Sequence, residues 1–202
     1  MIITKHHSME KQVKRKSVKK SAPKKEGAKR THKSVHGIKL GSAVKAMKSG
    51  VPKNVRLSEK AVNFAIEDTE THIKNIAKEC RELLQLSGKK TVTIKVLLLA
   101  LKRLGVHKNS VLTKAVLGAQ KEKGQNIPRS LIAVASVHRV FAEELPLGQK
   151  EFRISRNAAV ALSKLAEAAL RKFGEDAYVL AENAKRKTIK QRDVMAATVL
   201  RC

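Results

Sequence analysis

The chain has 202 residues, with 44 Lys plus Arg against 17 Asp plus Glu and a formal net charge of +27. That length holds one or two small domains, and that charge makes a chain repel itself and attract polyanions; nucleic acid is the leading partner and a membrane surface the weaker one. Four Phe, one Tyr and no Trp argue against base-stacking modules, which need aromatic platforms.

The start, "MIITKHHSMEK", lacks the apolar core of a signal peptide, and no stretch approaches the ~18 apolar residues of a membrane-spanning helix. His6-His7 has no Cys or carboxylate at ligand spacing, so it reads as a tail dipeptide and not a metal site. Residues 1–35 include "KQVKRKSVKKSAPKKEGAKRTHK", which has almost no large apolar side chain and many like charges. Such a segment cannot bury enough surface to offset its chain entropy and is expected to be disordered. Its functional reading is a polyanion-binding, nuclear-import arm; the plainer alternative is a solubilising tail.

A short helix follows at "LGSAVKAMKS" (40–49), and Gly50 and Pro52 break the chain after it. Ser58 is a natural N-cap for a long helix reaching Leu86. Along it Val62, Ala65, Ile66, Thr69, Ile73, Ile76, Ala77, Cys80, Leu83 and Leu84 recur at helical spacing. "VLLLALKRL" (96–104) gives a second short helix, and 106–127 acts as a connector. The same order then returns: a short helix at "LIAVASVHRVFAEEL" (131–145), a break at Pro146 and Gly148, and a long helix from Ser155 to Ala184. Its stripe is Leu162, Leu165, Ala169, Phe173, Ala177, Leu180 and Ala184. A last short helix lies at "DVMAATVL" (193–200). Each long helix spans about 40 Å at ~1.5 Å per residue.

The repeat is also visible in the letters. Arg56-Leu57-Ser58 falls on Arg153-Ile154-Ser155, and Lys90-Thr91-Val92 on Lys187-Thr188-Ile189, both at an offset of 97 (56 to 153, 90 to 187). Two anchors at one offset indicate a duplicated unit with no sheet. A long helix crossed by two short ones cannot cover its own apolar stripe, so the halves are expected to clasp each other. Cys80 lies on that stripe and reads as core; Cys202 ends the chain. Two cysteines make no disulfide framework and read as free thiols in a reducing compartment. No catalytic, phosphate-loop or metal motif occurs; no enzyme activity, cofactor, metal or small-molecule substrate is expected.

"GAKRTHKSVHGI", "VRLSEKA", "KKTVT" and "ALKRLG" resemble core histone four. "EFRISRNAAVAL", "GEDAYVLAENAKRKTI" and "RDV" resemble core histone three. The resemblance covers roughly 27–105 and 128–201, and is to a histone doublet, two histone folds in one polypeptide, in the order seen in large DNA viruses. Archaeal doublets are the nearer prokaryotic comparison.

The resemblance implies an all-α fold in which two histone folds of one chain form an intramolecular handshake pair behind a disordered basic N-terminal tail. The units are 1–35 (tail), 36–105 (histone-four-like), 106–127 (connector) and 128–202 (histone-three-like). It also implies that the loop after each long helix lies beside the loop before the other. Lys89, Lys90 and Thr91, with Lys185, Arg186, Lys187 and Thr188, would then clamp DNA phosphates. Ser58 and Ser155 would start helices whose N–H groups face phosphate, and Arg56 and Arg153 would enter the minor groove. Asp193 would pair with Arg186, fix that loop and cap the last helix. The first half has Lys89 and Val96 at those places and lacks the clamp. Leu180 and Asn183 would lie at a self-association face, with Asn183 standing where the family has a histidine.

The function implied is wrapping of duplex DNA into nucleosome-like particles, largely without sequence preference. Expected partners are double-stranded DNA, other copies of the doublet and a second doublet of the other two core-histone types. The expected location is the nucleus or chromosome, and for a viral chain also the virion or viral factory. Two other readings remain: a histone-fold transcription factor subunit, and a basic RNA-binding protein.

Overall fold

The computed structural model describes residues 36–121, 130–145 and 152–199. The expected disordered tail, the break at Pro146 and Gly148, and Cys202 lie outside them. In chain order the elements are α1 (Leu40–Lys48), β1 (Arg56–Leu57), α2 (Glu59–Ser87), β2 (Thr91–Val92), α3 (Ile94–Arg103), α4 (Val111–Lys121), α5 (Val134–Glu144), β3 (Arg153–Ile154), α6 (Arg156–Asn183), β4 (Thr188–Ile189) and α7 (Gln191–Val199).

Each long helix starts where its sequence signals a start. Ser58 and Ser155 sit in extended conformation, and their hydroxyls accept the N–H groups of Ala61 and Ala158, both at 3.3 Å. Both helices end in the same reverse turn. Gly88 (φ 62°) carries α2 out through a left-handed residue, and the Lys89 N–H reaches back to the Leu84 carbonyl at 3.1 Å. At the symmetric place Lys185 takes φ 53°, and the Arg186 N–H reaches the Ala181 carbonyl at 2.9 Å. These are paired Schellman ends, one using Gly and the other a lysine.

The halves interlock. Helix α1 packs on α6, α5 packs on α2, α7 touches both long helices, and α2 crosses α6. One apolar cluster runs through both halves, so the chain forms the handshake pair within one molecule. The α2 stripe is buried as its periodicity indicates, except that Leu83 is only partly covered. Helix α6 is buried far beyond one stripe: Ala158, Ala161, Ser163, Ala166, Leu170, Gly174 and Ala181 are inside as well. It takes α1, α4, α5 and α7 around its girth, and small residues let them approach. Leu180 is half-buried and Ala184 exposed, because the handshake has ended by that point of the helix.

Two features go beyond the expected pattern. The unit expected without strands forms two parallel two-residue ladders, β1 with β4 and β2 with β3; they are too short to change the all-α class. The segment read as a connector contains α4, whose Thr113, Val116 and Ala119 are buried as it packs on α6 and α3.

A second symmetric device sits under the short helices. The Glu70 carboxylate on α2 accepts the Ile38 N–H at 2.8 Å, just ahead of α1. Glu167, its counterpart at the same offset, accepts the Leu131 N–H at 3.0 Å and the Ser130 hydroxyl at 2.7 Å, just ahead of α5. Each long helix thereby fixes where its own first short helix enters. Cys80 is wholly buried, and burial pushes its thiol up to about 12; it is a core side chain.

Gly174 gives a sharp test of packing. A Cβ there would run into the Met47 carbonyl at the end of α1, whereas the symmetric position on α2 is Ala77. Alanine normally gains ~1 kcal/mol over glycine inside a helix, but overpacking against fixed backbone costs about 1–3 kcal/mol. Gly174→Ala is therefore expected to lower the denaturation midpoint. Gly118→Ala in α4, with nothing within 4 Å of the new methyl, is expected to raise it.

Candidate nucleic-acid interface

The two ladders bring the expected loop residues together in pairs. At the first, Arg56 lies opposite Thr188, with the Arg56 N–H on the Lys187 carbonyl at 2.9 Å and the Ser58 N–H on the Ile189 carbonyl at 3.0 Å. At the second, Arg153 lies opposite Thr91, with the Arg153 N–H on the Lys90 carbonyl at 2.7 Å and the Ser155 N–H on the Val92 carbonyl at 3.0 Å. Each site thus combines an arginine and helix N-terminus from one half with a cationic loop from the other.

Arg56, Arg153, Lys89, Lys90, Thr91, Lys185 and Lys187 are exposed, and Ser58, Ser155 and Thr188 are half-buried. The short strands hold the backbone while the cationic side chains stay in water. First-turn N–H groups of α2 and α6 lack helical acceptors and carry the positive end of the helix dipole. Both sites therefore present positive potential to solvent.

The two sites differ in charge. Helix α2 has Glu59 in its first turn, whereas α6 has no acid there and begins with exposed Arg156. Lys95 and Lys190, each just past its loop strand, are exposed too. Sequence reasoning missed Arg156, Lys95 and Lys190; the same offset that pairs the loops would have drawn attention to Lys95, since it falls on Arg192, another exposed cation.

The second loop carries the clamp. Arg186 donates to Asp193 through both terminal nitrogens, at 2.9 and 2.6 Å, and to the Thr188 carbonyl at 3.2 Å. Asp193 also accepts the Lys190 N–H at 2.8 Å, while its own N–H bonds the Lys190 carbonyl at 3.0 Å. That reciprocal pattern caps α7. Lys89 and Val96 make no such pair in the first half. Leu180 and exposed Asn183 sit near the end of α6, beside exposed Val179. Among the described residues no group of His, Cys, Asp and Glu is placed to hold a metal ion, and no helix is long and apolar enough to cross a membrane.

Comparison with known proteins falls on the same two halves. Residues 42–101 match the family model "Histone-like transcription factor (CBF/NF-Y) and archaeal histone", and residues 116–200 match the family model of the core histone domain, the one shared by all four core histones. The second match begins inside α4. The crystal structure of the histone from Methanopyrus kandleri is similar, with a TM-score of 0.56 and 25% identity, covering 79% of this chain and 92% of that one. No curated protein sequence matches. The chain belongs to the histone-fold family and is a histone doublet. It is of the histone-like, DNA-binding class, whose members are structural proteins and not enzymes.

Asp193 is only 5% exposed. Burial pushes its carboxyl upward, but the Arg186 and Lys190 hydrogen bonds and the Arg186 and Arg192 charges outweigh it and hold the group below its ordinary value. A lowered folded pKa means that the pair's stabilisation is complete above the unfolded carboxylate value (about 3.9) and is lost as pH falls through the folded one. Asp193→Ala is expected to destabilise the fold at neutral pH by about 0.5–2 kcal/mol through loss of the α7 cap. The difference from wild type should shrink in acid. Thermal melts of both proteins across that range check the direction.

Proposed function

We propose that this doublet packages duplex DNA by bending it across the two loop pairs into nucleosome-like particles, mainly through phosphate and minor-groove contacts. The observation that carries the reading is the repeated site: an exposed arginine two residues before the N-cap of a long helix, held in register with a threonine of the other half's cationic loop. Two such sites on one rigid molecule bind two stretches of backbone, and a net charge of +27 supplies the counterion release that drives sequence-independent binding. Arg56 and Arg153 act as minor-groove insertions, since a groove narrowed by bending concentrates negative potential. Lys89, Lys90, Lys185 and Lys187 act as phosphate contacts.

A particle needs more than one doublet. Val179 (52% exposed), Met195 (48%) and Val199 (75%) leave apolar surface at the end of α6 and along α7, which supports self-association there with Leu180, Asn183 and the Arg186–Asp193 clamp. Leu86, 78% exposed at the end of α2, is the corresponding apolar surface of the first half and suits a doublet of the other two core-histone types. The place of action would be the nucleus or chromosome, and for a viral chain also the virion or viral factory. The transcription-factor wording of the first-half match supports a second reading, a sequence-specific histone-fold pair; that reading requires a marked preference for one site over random duplex.

Nuclease digestion of reconstituted complexes tests the main reading: a protected ladder means wrapping, and a smear means coating. Arg153→Ala should leave stability within roughly 0.5 kcal/mol of wild type, yet lose more protection than Lys19→Ala at equal ionic strength. Equal loss removes any special role for Arg153. Met195→Ser/Val199→Ser should shift sedimentation toward single doublets without changing the melt; unchanged sedimentation would remove α7 from the contact.

A further inference from the structure

We propose that the groove between α3 and α4 docks an acidic, amphipathic helical segment of a partner protein. The groove has a volume of about 430 Å³; Leu98, Leu99 and Leu117 contribute apolar surface, Lys95, Lys102 and Lys108 line it too, and no carboxylate does. That volume lies in the range of ligand-holding clefts, about 300–1,000 Å³. Leu99 is 47% and Leu117 37% exposed, whereas Leu97, Leu101 and Val116 on the same two helices are buried.

The groove is built in advance. Gly105 (φ 77°) ends α3, with the Val106 N–H on the Leu101 carbonyl at 2.9 Å. The Ser110 hydroxyl accepts the Thr113 N–H at 3.1 Å at the start of α4, and the Thr113 hydroxyl donates to the His107 carbonyl at 3.0 Å. The turn between the two helices is tied at both ends, so little ordering is needed on binding.

Charge and chemistry together select the occupant. Phosphodiester backbone would satisfy the lysines but leave the leucines uncovered. Residues 1–35 are strongly basic and are repelled by Lys95, Lys102 and Lys108. An amphipathic helix with leucine-like residues on one face and carboxylates beside them satisfies both the floor and the rim.

The probe is a fluorescein-labelled helix of about 16 residues with Leu at i, i+3, i+4 and i+7 and Glu between. The control has the same charge with every Leu replaced by Ser. Anisotropy titrations on the full chain should show the Leu peptide binding about ten-fold more tightly than the control, the scale of one or two buried leucines. Leu117→Ser should cut that advantage several-fold. The exposed pair Lys102→Gln/Lys108→Gln should weaken the Leu peptide more than Lys19→Gln/Lys20→Gln, which removes equal charge from the tail. Equal binding of the two peptides would overturn the proposal. So would an unchanged preference in Leu117→Ser, or equal effects of the two lysine pairs. If Leu117→Ser instead loosened a duplex of about 20 base pairs as much as the peptide, the groove would belong to the DNA surface. If it changed the sedimentation of the free chain, the groove would be a contact between copies; either result rejects the proposal.

Discussion

Two helices of 29 and 28 residues carry more apolar surface than their own short flanking helices can cover, and the rest of the structure follows from that excess. The long helices must cross and share a core, and each half must reach over the other to close it. Crossing sets the end of one long helix beside the start of the other, twice. The loops there have room for only two paired residues each, and those few backbone hydrogen bonds fix Arg56 against Thr188 and Arg153 against Thr91. A buried hydrophobic requirement thus decides where exposed cations stand, and a mutation deep in either stripe would disturb both loop pairs together.

The symmetry is approximate, and its breaks share a direction. Helix α6 is packed on more sides than α2, using alanine and Gly174 where the first half tolerates Ala77. Its last turn passes through a left-handed lysine, a conformation that costs a non-glycine residue of order 1–3 kcal/mol and persists only where the surroundings over-determine it. They do so here: the Schellman bonds hold Lys185, and one residue later Arg186 is locked to Asp193 and the Thr188 carbonyl. The first half uses Gly88 and needs no clamp. The second loop is therefore the stiffer of the two and places its cations by construction.

Much of this is legible in the letters because it depends on periodic burial and on caps. Ser58, Ser155 and the α2 stripe stand where the 3.6-residue period and N-cap chemistry put them, and the offset of 97 pairs the loops before any coordinates. What was hidden is tertiary. Helix α4 has a weak sequence signature and exists because α6 offers a second face, which a single-stripe reading of Leu162 to Ala184 cannot show. The two-residue ladders are too short for any strand pattern. Glu70 and Glu167 look like ordinary surface acids until the chain ahead of each short helix is seen to deliver an N–H to them. Lys185 looks like any surface lysine when read alone; only its alignment with Gly88 marks it as a left-handed position.

Joining the halves in one chain changes the thermodynamics of the pair. Two separate histone folds must meet in solution and lose translational and rotational freedom of several kcal/mol or more, so their pairing weakens on dilution. A tether replaces that bimolecular step with a fixed effective concentration, commonly millimolar for short linkers. Here the tether is also partly a structural element, since Val116 and Ala119 of α4 are buried in the shared core. The described part of the tether is thereby held to the core and does not act as a free linker. Pairing fidelity then rests mainly on the shared apolar core, and the Lys74–Glu143 (2.7 Å) and Lys78–Glu144 (3.9 Å) ion pairs between α2 and α5 give the handshake a charged rim. With the tether holding the halves together, such exposed pairs need contribute little, and the cluster they surround is built of apolar side chains from both halves.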